Sequence, residues 1–180
     1  MNDSANASSH ATLSIPPDNL QRNLVLARPN EDQNLPHIGM VGDTYTILVA
    51  GKDTDGNYCL IDMYVPAGGG PGPHRHDFEE SFTVLEGEIA VTFRGTQSVL
   101  RAGEIISIPS NAPHQFHNQT QQPSRLLCIC SPSGQEEFFM AIGVPVASRT
   151  APPPEFDEDA QAAFKARAEA LAPQYRTELL

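Results

Sequence analysis

The residues best suited to chemistry lie in one short segment, Gly68 to Glu80, which reads GGGPGPHRHDFEE. Side chains of an extended strand alternate between two faces, so His74, His76 and Glu80 are expected to share one face. Two imidazoles and a carboxylate on a common face can bind a divalent metal, and two histidines with one carboxylate are typical of non-haem iron sites. Glu79 is one position out of register, and we expect it on the outer face.

A second segment, which reads GEIISIPSNAPHQFHN from Gly103 to Asn118, contributes another histidine. Its pattern predicts a strand, a tight turn and a further strand that begins at His114. His117 lies three positions later and is expected to face outward. Two other histidines, His10 and His37, fall in loop-like stretches, where we expect exposed side chains.

These two segments resemble the paired motifs of the cupin family. The first motif, G-x5-H-x-H-x3,4-E-x6-G, is matched at every position by the residues from Gly68 to Gly87. The second, G-x5-P-x-G-x2-H-x3-N, is matched from Gly103 to Asn118 except that Asn111 replaces a glycine. Asparagine is the other residue that readily adopts a positive φ, so we expect the turn to survive.

The resemblance covers about residues 40–135 and implies an all-β fold, the double-stranded β-helix or jelly-roll barrel of cupins. It also implies one divalent transition metal per chain, with iron or manganese favoured and nickel, copper, cobalt or zinc also accepted. The residues that the resemblance assigns to the metal are His74, His76, Glu80 and His114. Three aromatic residues share the parity of these ligands and are expected to form either an apolar substrate pocket or the barrel core: Phe78, Phe82 and Phe116.

The elements that must position these residues follow from the composition and its changes along the chain. Sixteen prolines and thirteen glycines in 180 residues punctuate many short β-like runs, which favours an antiparallel sandwich or barrel. We predict an N-terminal arm over 1–36 that adds at most one short strand, a barrel over 37–135, and a C-terminal helical extension over 136–180. A helix from Glu155 would carry one apolar stripe that packs on the barrel or on a partner subunit: Phe156, Ala160, Phe164, Ala168 and Leu171.

The net charge of −11 argues against two classes of partner, because an acidic chain repels phosphate backbones and anionic membrane surfaces. The N-terminal residues lack a signal-peptide pattern and no apolar run reaches about 20 residues, so we expect a cytoplasmic protein without membrane contact. The three cysteines, Cys59, Cys128 and Cys130, are expected to be buried thiols on core strands.

Three functions are compatible with these features. The chain resembles single-domain cupins grouped with quercetin 2,3-dioxygenase, which implies a dioxygenase that acts with dioxygen on a flavonol-like or other enolic or aromatic molecule. Glu80 would then be both a metal ligand and the catalytic base. The alternatives are a metal-containing cupin that binds or senses a small molecule without turnover, and a zinc-type isomerase or hydrolase. The resemblance also leads us to expect a homodimer.

Overall fold

The structure is a computed structural model that describes residues 14–180. Within this range the fold is mostly β, with two α-helices near the C-terminal end. The first six strands are β1 (His37–Met40), β2 (Asp43–Val49), β3 (Cys59–Val65), β4 (His74–His76), β5 (Glu79–Glu86) and β6 (Glu88–Phe93). The remaining elements are β7 (Thr96–Arg101), β8 (Ile105–Ile108), β9 (His114–His117), β10 (Ser124–Ser131), α1 (Gln135–Ile142), β11 (Val144–Pro145), α2 (Glu158–Leu171) and β12 (Thr177–Leu179).

The strands form two antiparallel sheets, as the predicted jelly-roll barrel requires. One sheet has the order β11-β1-β2-β3-β10-β5-β8, and the other has the order β12-β4-β9-β6-β7. Inward side chains of both sheets form one apolar core, because alternate residues of each strand point to the same side. Fully buried members of this core include Ile61, Met63, Val84, Ile89 and Leu126.

Two sharp turns bring the backbone close to the strands that carry the histidines. Asn111 has a φ of 66°, and its N–H donates to the His76 carbonyl oxygen at 2.6 Å. The expectation that asparagine can replace glycine in this turn is therefore confirmed. Gly70 has a φ of 122°, and an added Cβ atom there would overlap the carbonyl oxygen of Phe116.

The N-terminal part differs from the expectation at one residue, His37. Residues 14–36, the described part of the arm, contain turns but no strand, and Leu24 is exposed. His37 is buried rather than exposed, because it begins β1 and its Nδ1 lies 2.8 Å from the Thr46 hydroxyl on the neighbouring strand. His10 lies outside the described residues.

The C-terminal extension contains the predicted helices and two strands that the sequence did not indicate. Helix α2 begins at Glu158 rather than Glu155, because the Asp157 carboxylate caps it by accepting a hydrogen bond from the Ala160 N–H at 2.8 Å. It packs against α1 and the turn that follows α2, and Ala168 of its apolar stripe is buried. Strand β12 pairs antiparallel with β4, so this extension contacts the strand that carries His74 and His76. In the described range, no helix is long and apolar enough to span a membrane.

Candidate metal centre

The structure brings together the four residues that the sequence predicts as metal ligands. His74 and His76 lie on β4, Glu80 on β5 and His114 on β9, and all four side chains are buried. His74 and His114 are directly opposite each other on adjacent strands. One potential ligand atom from each of the four residues can be chosen so that all lie within 4.8 Å of one another.

Each of the three imidazoles is oriented by a backbone carbonyl of its own segment. The Nδ1 atoms of His74, His76 and His114 lie 2.9, 3.0 and 2.9 Å from the carbonyl oxygens of Gly72, Phe78 and Ala112. A carbonyl oxygen only accepts hydrogen bonds, so each Nδ1 must carry the proton. In a neutral ring the lone pair is then on Nε2, which is the usual arrangement of a histidine that binds a metal.

The Nε2 atoms of two of the three histidines converge on one carboxylate oxygen. Nε2 of His76 and Nε2 of His114 lie 3.1 and 3.0 Å from Oε2 of Glu80. Burial alone would raise the pKa of Glu80, but hydrogen bonds from His114 and His76 outweigh burial and hold the pKa well below its usual value. Burial is the largest single influence and lowers the pKa of His114, but the hydrogen bond to Glu80, the charge of Glu80 and the hydrogen bond to the Ala112 carbonyl together outweigh burial and raise the pKa. The pocket therefore favours positive charge beside Glu80.

The third histidine is in a less charged setting. Burial, together with the nearby His114, lowers the pKa of His74 to about 4. A neutral imidazole is the form that binds metals, because its Nε2 keeps a free lone pair. Three neutral nitrogen donors and one carboxylate oxygen suit iron, manganese, cobalt, nickel, copper or zinc, so the residues fit a divalent transition metal. The cluster can thus hold a metal ion, and its donor set does not determine which one.

The second oxygen of Glu80 faces sulfur rather than nitrogen. The Cys128 and Cys130 thiols lie 3.3 and 3.7 Å from Oε1 of Glu80, and the two sulfurs are 3.5 Å apart. Burial raises the pKa of Cys128 to about 12, so this thiol keeps its proton and donates to the carboxylate. All three cysteines are buried and free, as the sequence predicts.

The three aromatic residues predicted for either a substrate pocket or the barrel core take different positions around the metal centre. Phe78 stacks on the His76 ring, with centroids 3.8 Å apart and the planes at 2°. Phe82 packs edge to face against Phe116 at 5.2 Å. All three are buried, and Phe116 borders the open cavity described next.

A cavity of about 880 Å³ extends from His74 and Glu80 to the C-terminal extension. The barrel supplies its inner wall, and α1, α2 and the Pro152–Pro154 segment supply the rest. Arg75, next to the ligands in sequence, is outside this space, where it forms an ion pair with Glu178 of β12.

One polar residue of this cavity, Gln135, was not among the predicted site residues. It is the first residue of α1, it is buried, and its Oε1 has no hydrogen-bond partner among the described residues. A glutamine at the start of a short helix carries no sequence signal, because its surroundings depend on how α1 packs against the barrel.

Comparison with known proteins shows which family the barrel resembles. Residues 61–130 match the family model of the cupin domain, and the fold is the double-stranded β-helix that cupins share. Residues 61–130 are therefore similar to the cupin domain, and the fold around them is the fold of cupins.

Among curated proteins, the chain is 27% identical over 108 residues to quercetin 2,3-dioxygenase from Bacillus subtilis, which covers 59% of this chain and 32% of that protein. It is 29% identical over 104 residues to the HTH-type transcriptional regulator PuuR from Escherichia coli, covering 58% of this chain and 56% of the regulator. The match thus spans about a third of one relative's length and about half of the other's.

Two solved structures share the fold at low sequence identity. A "predicted oxalate decarboxylase" from Thermotoga maritima superimposes with a TM-score of 0.52 at 19% identity, covering 59% of this chain and 98% of that one. An RmlC-like cupin from Shewanella frigidimarina gives 0.51 at 18% identity, covering 63% and 99%. At these identities the likeness concerns the fold alone.

Proposed function

We propose that this cupin is a metal-dependent dioxygenase that acts on a flavonol-like or other enolic or aromatic small molecule. One observation carries the proposal: three imidazole nitrogens and a carboxylate oxygen converge at the inner end of a large, mostly apolar cavity. The partial similarity to quercetin 2,3-dioxygenase supports the same reaction class. Iron or manganese is the favoured metal, held by His74, His76, Glu80 and His114, and dioxygen is the second substrate.

The protein's own residues would have distinct tasks in such a reaction. A redox-active metal, when bound, would supply electron transfer between the enolate form of the substrate and dioxygen. Glu80 borders the cavity and would accept the proton of the substrate hydroxyl as a general base. Phe116 also borders the cavity, and with the other apolar side chains it would orient the rings and exclude water.

Charge in the cavity favours a neutral ring system over a sugar phosphate. Lys165 is the only lysine or arginine among the described residues that line it, and its ammonium group lies 3.8 Å from the Glu169 carboxylate. A phosphate ester would need positive groups that remain available for it, because desolvating an unpaired anion is costly.

Metal content is the first measurement. Purified wild-type protein is expected to carry about one metal per chain by mass spectrometry, and a His76→Ala/His114→Ala double variant is expected to carry almost none. Iron- or manganese-loaded wild type should then consume dioxygen in the presence of a flavonol, and Glu80→Ala should abolish the consumption. A metal-loaded protein that is inert toward flavonols, enols, diketones and phenols would refute the dioxygenase proposal.

Similarity to the regulator PuuR favours a second candidate, a cupin that binds or senses a small molecule without converting it. The two functions differ in the fate of the ligand. A molecule that raises the melting temperature and is recovered unchanged in air would support the sensing function. Exclusive zinc loading with isomerase or hydrolase activity would instead support Lewis-acid chemistry, the third alternative.

We further propose that the chain works in the cytoplasm as a homodimer, with no nucleic-acid or membrane partner. Ile15, Leu20 and Leu24 of the arm are almost fully exposed and offer apolar surface for a second copy. Light scattering at working concentration should give a dimer mass, and a monomer mass would contradict this. The proposed units remain an arm over 1–36, a barrel over 37–135 and an extension over 136–180.

A further inference from the structure

The cavity next to the metal centre is much larger than dioxygen or a simple organic acid requires. Its volume of about 880 Å³ lies in the range that holds drug-sized ligands, about 300–1,000 Å³. Aromatic rings come from both the barrel and the C-terminal extension, namely Phe116, Phe138, Phe139, Phe156 and Phe164. The shape and lining therefore suit a molecule with several rings.

One buried polar atom in this lining has no partner. Oε1 of Gln135 makes no hydrogen bond within the described residues, although only 4% of the residue is exposed. Leaving a buried acceptor unpaired costs about 1–3 kcal/mol, so it is retained here against a stability cost. A hydroxyl or N–H group of a ligand in the cavity would satisfy it.

The position of Gln135 is fixed by its neighbour. The Glu136 carboxylate accepts hydrogen bonds from the backbone N–H of Gly51 at 2.6 Å and of Gly134 at 2.9 Å. These contacts tie the first turn of α1 to the loop after β2, and Glu136 itself is buried. The backbone of Gln135 is consequently held on a rigid part of the cavity wall.

A second glutamine in the lining provides a contrast. Gln161 on α2 is exposed, and its Nε2 donates to the Phe156 carbonyl oxygen at 2.9 Å. Its polar group already has a partner within the helix and its preceding segment. Only Gln135 combines burial, a place in the cavity wall and an unpaired acceptor among the described residues that border the cavity.

We propose that Gln135 is a ligand-binding residue that accepts a hydrogen bond from a hydroxyl group on a mostly apolar, multi-ring ligand. This hydroxyl is distinct from the oxygen that faces Glu80, so the ligand carries at least two oxygen functions. The inference rests on the proposed function, which places the reactive oxygen of the ligand beside Glu80. Gln135 then selects among ring compounds by where their second hydroxyl lies.

The test uses the metal-loaded full chain without dioxygen and measures the dissociation constants of 3-hydroxyflavone and its 7-hydroxy and 4′-hydroxy derivatives by fluorescence. At least one added hydroxyl should tighten binding to the wild type by about 5-fold or more, as one hydrogen bond supplies. Gln135→Met should lose this gain, whereas Gln161→Met should keep it. An equal gain in affinity for the wild type and Gln135→Met would overturn the inference, and so would no gain in affinity for either derivative. Failure of all three flavonols to bind would also overturn it.

Stability measurements separate a binding role from a structural one. Gln135→Met removes an unpaired buried acceptor without a large volume change, so its melting temperature should equal or exceed that of the wild type. A large decrease would show that Gln135 supports the fold instead. Admitting air then tests the reaction separately: hydroxyl selectivity without dioxygen consumption would refute the dioxygenase and leave the role of Gln135 intact.

Discussion

The Sγ atom of Cys128 lies 3.3 Å from Oε1 of Glu80, the carboxylate oxygen that does not face the imidazoles. Glu80 thus has a nitrogen side at Oε2 and a sulfur side at Oε1. A thiol donor at Oε1 restricts rotation of the carboxylate and leaves Oε2 as the oxygen that would bind a metal. Cys128 is a positioning residue for the metal centre in this arrangement.

Replacing Cys128 is therefore expected to weaken metal binding. Loss of a partner that orients a metal ligand typically reduces affinity about 10- to 100-fold, and we expect a decrease in this range for Cys128→Ala. Cys128→Ser keeps a donor and should stay closer to the wild type. Competition with a chromophoric chelator measures the affinity without relying on activity.

The matched control is Cys59→Ala, which removes another buried thiol. The contacts of Cys59 are with Cys130 and Glu136, so Glu80 keeps its partner in this variant. Equal metal affinities for the Cys128→Ala and Cys59→Ala proteins would contradict a positioning role.

The turn at Asn111 predicts that glycine is tolerated at this position much better than valine. Asn111 has a φ of 66°, where glycine is comfortable and β-branched residues are strained. Asn111→Gly should change the free energy of unfolding by about 0.5 kcal/mol or less, whereas Asn111→Val should decrease it by about 2 kcal/mol. Urea denaturation measures both, and similar losses for the two variants would show that the asparagine side chain, not the backbone angle, matters.

Gly70 is expected to be irreplaceable for steric reasons. A Cβ atom at this position would overlap the Phe116 carbonyl oxygen, and the Gly70 N–H donates to Asp43 Oδ1 at 3.1 Å. Gly70→Ala should destabilise the fold by about 3 kcal/mol, because backbone strain and overpacking add. It should also reduce metal loading, since Phe116 lies on the same strand as His114.

Gly95 provides the control for this variant. It also has a positive φ, 82°, but an added Cβ would meet no atom within 4 Å. Gly95→Ala should cost only the backbone strain, about 1–2 kcal/mol. If Gly70→Ala and Gly95→Ala lost the same stability, the close approach of Gly70 to Phe116 would not contribute to the loss.

Asp43 should make stability depend on pH. Burial raises its pKa to about 7 from 3.8, although hydrogen bonds from the Tyr45 hydroxyl and the Gly70 N–H act in the opposite direction. Between about pH 4 and 7 the unfolded chain loses this proton while the folded chain keeps it. The contribution of the protonated Asp43 to the free energy of unfolding is complete below pH 4. It is lost as pH rises through 7, at up to about 1.4 kcal/mol per pH unit.

Asp43→Asn removes this titration and isolates its effect. The stability of the variant relative to the wild type should increase steadily from pH 4 to 7 in chemical denaturation. Asp55→Asn, which changes an exposed carboxylate, should show no comparable trend. Parallel pH profiles for the wild type and Asp43→Asn would contradict the prediction.

Much of the barrel could be predicted because its strands follow simple alternation. The strand that was predicted to begin at His114 is β9, which begins at that residue. Alternation along one segment placed His74, His76 and Glu80 on a common face, and the resemblance to cupins implied that His114 joins them. His37 was misjudged because a four-residue strand beside polar loop residues has little periodicity of its own.

The outer wall of the cavity could not be predicted for a different reason. Gln135, the Pro152–Pro154 segment and β12 reach the cavity only through packing between the extension and the barrel. Such contacts join residues far apart in sequence, and a three-residue strand is too short to show alternation. The apolar stripe of α2 was recognisable, but the sequence did not indicate that it would face a cavity.

The carbonyl groups that orient the three imidazoles are all two residues away from their histidines in the chain. Contacts within three short peptide segments therefore determine that Nε2 of each histidine, not Nδ1, is available to a metal. This does not depend on how the sheets are assembled. Metal uptake then requires neither rotation of a ring nor exchange of its tautomer. The proton that Nε2 of His114 donates to Glu80 would still have to leave, so metal binding would release a proton without rearranging a ligand.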